Sequence, residues 1–336
     1  MEILREGEGE LVGWHDPDEH RAWVRENKPR ELLDKQMMVS SAVSRFIKDG
    51  EILAMGGFGH VRVSMAVIYE MIRQKKRDLI MLGKTGVQDI DVMVAAGCVS
   101  QVEVAYAFGH ELRGLSPASR RAVETGKCKV VSEISNASHN WRFLAASMGI
   151  PFIPARTMLG TDTFEKSSAK VVKDPWSGKP VCLVPACYPD VVVLHVHRCD
   201  IYGNAQIEGI LVEDYELARA ARRLIITTEE IVSQDLIRQE PRRTAVPYFL
   251  VDAVCEVPYG SHPCQMPYLY YFDEEHIHNW LKISRTEEGV QAYFNEFVFG
   301  VNDFEGYLER IGGVRKLSYL KRVEQFRELA WKAEES

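Results

Sequence analysis

Three glycines in four positions, Gly56-Gly57-Phe58-Gly59, follow a short apolar run. A backbone so bare of side chains can approach a ligand closely and turn its amide N–H groups inward, as an oxyanion or phosphate cradle requires. A tight turn needing positive φ accounts for the same glycines equally well. The spacing is not G-x-G-x-x-G, so this is not a dinucleotide fingerprint. Lys84 and Gly86, in Gly-Lys-Thr-Gly (83–86), form half of a phosphate loop, without the leading glycine and four-residue gap of a Walker site. Two loop glutamates can serve as nucleophile or general base if desolvated: Glu111, beside His110 and Arg113, and Glu133, three residues before Asn136. A helix cap or a solvated charge is the commoner fate of such a residue.

His195 and His197 alternate on one strand face, which a metal could exploit, but the adjacent strand offers no partner ligands, so they read as buried and hydrogen-bonded and no metal site is expected. His262 lies beside Cys264 with no Asp or Asn placed by sequence to complete a nucleophile triad, and Cys264 reads as a structural thiol. Arginines at 222–223 and 242–243 fit a solvated face or a contact between chains.

These residues sit in a repeated phrase of strand, loop and helix. Apolar runs at 51–55, 78–83, 102–107 and 129–133 each lead through a loop into an amphipathic stretch, with Pro117 at a helix start and Gly97, Gly126 and Gly149 at helix stops. Consecutive units of this kind imply a parallel sheet, because a crossover helix returns each strand parallel to the last. Runs at 180–186 and 190–200 read as strands buried on both faces, and those at 223–230 and 251–258 as further strands. The fold expected is α/β: an open, mainly parallel sheet with helices on both faces and a helical C-terminal tail. Residues 1–36 are expected to form an extension outside the core, with Trp14 and Trp23 as its main apolar anchors; 37–272 form the α/β domain, and 273–336 a helical segment packed on it. Ligands of such sheets bind outside the carboxyl ends of the strands, where the loops above gather.

The chain has 336 residues, 41 basic against 48 acidic side chains and a net charge of −7, so no basic field exists for nucleic acid or anionic lipid. Seven scattered cysteines without a C-x-x-C pair indicate a reducing compartment. With no signal-like N-terminus and no apolar stretch near ~18 residues, a cytoplasmic protein without membrane association is expected.

Taken together, Gly-Gly-Phe-Gly closing the first unit, RRAVETG (120–126), IPFIPAR (150–156), CDIYGNAQIEG (199–209), RRLIITTEEIV (222–232) and VDAVCEVPYGSHP (251–263) resemble the A subunits of class I CoA-transferases, the glutaconate CoA-transferase branch most of all. The likeness spans roughly residues 37–320. It implies a chain that takes a CoA thioester as substrate, with no permanently bound cofactor, and that works in a heteromer with a B subunit. It also implies a glutamate that is acylated and then carries CoA as a thioester, in an S-E-N-G context on the partner; no S-E-N-G occurs here. This chain would then supply the Gly56, Gly57, Phe58 and Gly59 amides as oxyanion donors, with Lys84, Gly86 and Asn136 among the walls of an acyl pocket. Arg62 and Arg113 could hold a distal substrate carboxylate, or could equally cap helices or pair with acids. Relatives of the same fold are ring-opening hydrolases and decarboxylases of CoA esters, which leaves Glu111 or Glu133 as a base in a second reading, and a non-catalytic scaffold as a third.

Overall fold

The computed structural model describes residues 2–110 and 113–328. In chain order it runs β1 (Ile3–Glu6), α1 (Pro17–Asn27), α2 (Val39–Phe46), β2 (Ile52–Met55), α3 (Met65–Arg73), β3 (Leu79–Gly83), α4 (Gln88–Ala95), β4 (Val99–Val104), α5 (Pro117–Glu124), β5 (Lys129–Glu133) and α6 (Asn136–Met148). There follow β6 (Phe152–Ala155), α7 (Asp162–Glu165), β7 (Lys170–Lys173), β8 (Pro180–Pro185), β9 (Val191–Cys199), β10 (Ala205–Gln206), α8 (Asp214–Ala220), β11 (Arg223–Ile231), α9 (Gln234–Gln239), β12 (Thr244–Val246) and β13 (Ala253–Glu256). Helices α10 (Glu274–Ile283), α11 (Glu287–Phe294), α12 (Phe304–Arg310) and α13 (Gly313–Glu324) close the chain.

The main sheet is parallel in the order β13-β11-β9-β2-β3-β4-β5, with the short antiparallel β10 and β12 appended at the end of β9. Strand side chains alternate between faces, and each face here meets its own core. Leu53, Val191, Val193, Ile225 and Ala253 pack with α3, α4 and the C-terminal Trp280. Their neighbours Ala54, Val192, Leu194, Ile226 and Val254 pack with α6 and α8. That double coverage explains why β9 reads as an unbroken apolar run.

Three expectations are corrected. The run at 180–186 is not in the parallel sheet: β8 pairs antiparallel with β6 and β7 in a separate four-stranded sheet, β1-β7-β8-β6, with one face on a small core of Ile134, Phe164, Val171, Cys182 and Val184. Its inward positions alternate, which a two-sided buried strand does not need. The first 36 residues do not lie apart from the body, since β1 completes that second sheet. The fully buried Arg142 pairs with Glu103 and donates to the Val12 carbonyl, while Lys28 Nζ donates to Leu250 O at 2.6 Å and Asp252 at 3.0 Å. Buried main-chain and charged groups, rather than Trp14 and Trp23, hold the arm. Finally, α6 begins three residues before the expected 139, because the Ser135 hydroxyl accepts the Ser138 N–H and caps it.

The C-terminal helices are part of the main core. Trp280, Tyr293, Phe294 and Tyr307 are buried against α3 and α4, and Tyr69 Oη meets Tyr293 Oη at 2.6 Å. Among the described residues no helix is long and apolar enough to cross a membrane.

Candidate active site at the carboxyl ends of β2 and β9

The chain leaves β2 in one direction to β3, β4 and β5, then returns at β9 on the other side of β2 and continues outward to β11 and β13. The crevice between β2 and β9 is therefore the switch point at which open α/β sheets bind ligands. The Gly56–Gly59 turn hangs over it. A Cβ on Gly56 would stand 2.3 Å from Leu194 Cδ2, and one on Gly57, at φ 89°, would stand 2.2 Å from the Val61 carbonyl oxygen. Both positions demand glycine, so the tight-turn explanation holds.

The amides themselves are occupied, which overturns the expected oxyanion cradle. Gly56 N donates to Val193 O (2.8 Å), Phe58 N to Val61 O (2.9 Å) and Gly59 N to Thr85 O (3.1 Å). Gly57 N donates to Asp214 Oδ1 (3.2 Å). What the glycines provide is close stacking of loops: Gly59 bridges Gly86, and Gly86 bridges Ala107, so the loops after β2, β3 and β4 form one layer. Arg62, Thr85, Tyr106 and Phe108, all in or beside this layer, adopt positive φ without being glycine. Strain of that kind, of order 1–3 kcal/mol per residue, persists where surrounding structure enforces it and is concentrated at functional sites.

Arg62 is also corrected. Its side chain is 1% exposed and forks onto Asp214, with Nη1 to Oδ1 at 2.9 Å and Nη2 to Oδ2 at 2.7 Å, while Nη2 also donates to Ile210 O at 2.8 Å. With those donors spent it cannot hold a substrate carboxylate. Burial alone would push the Asp214 carboxyl up; the Arg62 charge and hydrogen bonds, with the Gly57 and Val212 amides, hold it below the ordinary carboxylate range. Arg113 likewise pairs with an acid, Nε to Glu274 Oε1 at 2.8 Å with a second contact from Nη2. It walls a cleft of about 820 Å³ with Phe272, Glu274 and Lys282.

Lys84, at the end of β3, is buried with its Nζ 3.4 Å from Glu213 Oε2, and His139 Nδ1 stands 3.5 Å from the same oxygen. The cluster joins β3, α6 and the segment before α8. Asn136 and Glu133 are both exposed, and an exposed Glu133 lacks the desolvation that a catalytic base or nucleophile needs. Glu111 lies outside the described residues. Its loop is anchored by Asp91, which receives His110 Nε2 (3.3 Å), Ser119 Oγ (2.7 Å), Trp280 Nε1 (2.7 Å) and the Ser116 hydroxyl.

His195 and His197 are buried and hydrogen-bonded, as the alternation suggested. His195 Nδ1 meets Thr227 Oγ1 and its Nε2 meets Glu229 Oε1, both at 2.8 Å, and His197 Nε2 donates to Pro267 O at 2.9 Å. Glu229 escaped sequence reasoning: it also accepts Tyr270 Oη (2.6 Å) and the Tyr259 amide (2.7 Å), at a cleft of about 340 Å³. His262 does meet an aspartate, Asp273 at 3.1 Å, but Cys264 is fully buried and desolvation pushes its thiol well above the ordinary value, as befits a structural cysteine. Asp214 and Glu213 carried no signal, since GILVED (209–214) has the look of an ordinary loop.

Around this layer stand side chains that a lone chain leaves in water: Phe58, Tyr106, Ile210, Leu211, Tyr215 and Tyr268 are all exposed. The parallel sheet, the switch-point glycine turn and the stacked loops define a protein of the coenzyme A transferase type. A family profile for coenzyme A transferase matches residues 36–257, and the chain belongs to that family.

Among its relatives, the A subunit of glutaconate CoA-transferase from Acidaminococcus fermentans is 29% identical over 85% of this chain and 94% of its own length. The crystal structure of that bacterium's glutaconate CoA-transferase superposes with a TM-score of 0.82, covering 85% of this chain and 95% of the matched one at 30% identity. The A subunit of 3-oxoadipate CoA-transferase from Pseudomonas knackmussii is 32% identical over 82% of this chain and 97% of its own. The decarboxylase AibA/AibB matches with a TM-score of 0.69 and 32% identity, over 78% of this chain and 98% of that one.

Proposed function

We propose that this chain is the A subunit of a heteromeric CoA-transferase that moves CoA between an acyl-CoA and a small mono- or dicarboxylic acid, with the reactive glutamate on a B subunit. The observation that carries the reading is the face at the strand ends. A rigid, strained layer of loops there is ringed by Phe58, Tyr106, Ile210 and Tyr268, which are costly to leave in water and suit coverage by a second polypeptide. The glutaconate and 3-oxoadipate relatives are each one half of a two-chain enzyme by name, which points the same way.

In this scheme the partner's carboxylate attacks the thioester carbonyl and expels CoA thiolate, leaving a mixed anhydride. The thiolate then attacks the glutamyl carbonyl, releasing the first acid and forming a glutamyl-CoA thioester. The acceptor carboxylate attacks that thioester, CoA leaves as thiolate, and its attack on the acyl carbonyl of the new anhydride frees both the acyl-CoA product and the glutamate. This chain supplies walls and orientation. Phe58, Gly86 and Asn136 border the acyl group, and the Lys84 ammonium, held by Glu213, lies at the mouth where anionic charge develops. The Arg62–Asp214 pair fixes the turn that bears Phe58. Seven buried, unpaired cysteines support a cytoplasmic setting.

The match to AibA/AibB favours a second reading, a decarboxylase half, for which no trapped glutamyl adduct is expected. The test is to incubate the chain with and without its partner in acyl-CoA, quench with hydroxylamine and map adducts by mass spectrometry. A glutamyl hydroxamate on the partner supports transfer. Carbon dioxide release without an adduct supports the decarboxylase, and no CoA-dependent change in either state leaves a scaffold.

A further inference from the structure

At the other end of α6 and α8, the N-terminal arm builds a second pocket. It has a volume of about 590 Å³ and lies between α1, the last turn of α6 and α8. Helix α6 starts at the candidate active site and rises about 1.5 Å per residue, which puts this pocket roughly 20 Å away. Arg21, Arg25, Arg30 and Arg219 line it against a single acid, Asp18. In a chain of net charge −7 that is a concentrated positive field. Arg21 is engaged by Asp18 at 3.0 Å and by Gly149 O at 3.4 Å, and Arg219 lies 3.3 Å over the Tyr215 ring. The side chains of Arg25 and Arg30 form no ion pair among the described residues.

Two further residues wall the pocket, and both are more than nine-tenths buried. His20 is 6% exposed and stacks on Tyr188, 0% exposed, with ring centroids 4.2 Å apart. His20 Nδ1 and Tyr188 Oη have no hydrogen-bond partner among the described residues. Buried polar atoms are rarely left unsatisfied, and the two stand beside an excess of guanidinium groups, whose planar donor forks match phosphate oxygens. The volume lies within the range of small-molecule sites.

We propose that this pocket, built by the arm and remote from the strand-end face, binds a small phosphate-bearing anion. The carrying observations are the unpaired Arg25 and Arg30 beside the unsatisfied His20 and Tyr188 atoms, and they stand independently of the transferase reading. Occupancy would tie the arm to α6 and α8 and stabilise the fold by mass action.

The test is calorimetric titration of the full chain with inorganic pyrophosphate at fixed ionic strength, with sulfate and sodium chloride as charge controls. Saturable binding near one equivalent is expected, together with an upward shift of the His20 titration read by NMR. R25Q/R30Q should weaken it at least tenfold, since each charge-assisted hydrogen bond lost is worth about tenfold or more. Y188F should weaken it a few-fold while keeping the ring that packs on His20. A parallel titration with ADP distinguishes the sources: tighter binding of ADP assigns the pocket to a nucleotide, and equal or weaker binding to an inorganic phosphate. The proposal is overturned if pyrophosphate fails to bind at millimolar concentration, if sulfate binds as tightly, or if R25Q/R30Q binds as well as the unaltered chain.

Discussion

Substituting methionine for Arg62 removes three hydrogen bonds at once, two to Asp214 and one to Ile210 O, and leaves a fully buried carboxylate with only the Gly57 and Val212 amides to receive. Removing one partner of a buried pair costs about 3–5 kcal/mol, because the residual charge is stranded. With an unfolding entropy of roughly 2.1 cal/mol/K per residue, a chain of this length has about 0.7 kcal/mol/K, so R62M is expected to melt about 4–7 °C lower. The asparagine variant D214N removes the stranded charge while retaining an acceptor for Gly57, so R62M/D214N should recover at least half of the loss. Arg62 is what holds the Asp214 carboxyl down against burial, so the R62M deficit should grow as pH rises and shrink in acid, where the carboxyl is protonated. Thermal melts of the single and double variants from pH 4 to 8 measure all of this. An R62M cost below about 1 kcal/mol, or a double variant equal to the sum of the singles, would refute the view that this pair fixes the turn.

Other consequences are equally open to measurement. Burial pushes the Asp89 carboxyl up to about 6, against opposing hydrogen bonds from the Ile90 and Val87 amides, so the folded state binds the proton more tightly and stability falls as pH rises from about 4 to 6; D89N is expected to be up to about 3 kcal/mol more stable than the unaltered chain at pH 7 and indistinguishable near pH 4. Desolvation lowers His20 to about 4, and His60 and His276 to about 3, so their contribution is complete above pH 6.5 and is lost as pH falls toward those values. His20 alone accounts for up to about 3 kcal/mol of that acid sensitivity, and H20F should flatten the melting-temperature profile between pH 6.5 and 4. G57A places a Cβ against the Val61 carbonyl at positive φ and is expected to cost about 2–4 kcal/mol in urea unfolding, where a solvated turn would lose almost nothing.

Periodicity and punctuation carry the fold class because they are local. Strand runs closed by glycine, helices started at Pro117 and stopped at Gly149, and the unbroken apolar text of β9 report which faces must be buried without reference to distant residues. The glycines at 56, 57 and 59 marked the right bend for the same reason, since a backbone that admits no Cβ leaves its trace in composition. The sequence also placed Arg62 and Arg113 near the site and left their partners open. Only the tertiary structure decided them, because Asp214 and Glu274 lie more than 150 residues away and a guanidinium is defined electrostatically by what it faces. The same holds for the four amides, whose acceptors come from β9, the loop after β3, the turn itself and α8. Strand β8 was placed in the wrong sheet, and the N-terminal arm outside the body, because pairing is a choice among edges that alternation cannot rank. Residue types and spacing thus determined the scaffold and where its reactive face would lie. Whether each polar group on that face is free for chemistry or spent on architecture was set by long-range contacts, since in a buried site a charge is committed to whichever opposite charge the fold brings within hydrogen-bonding distance.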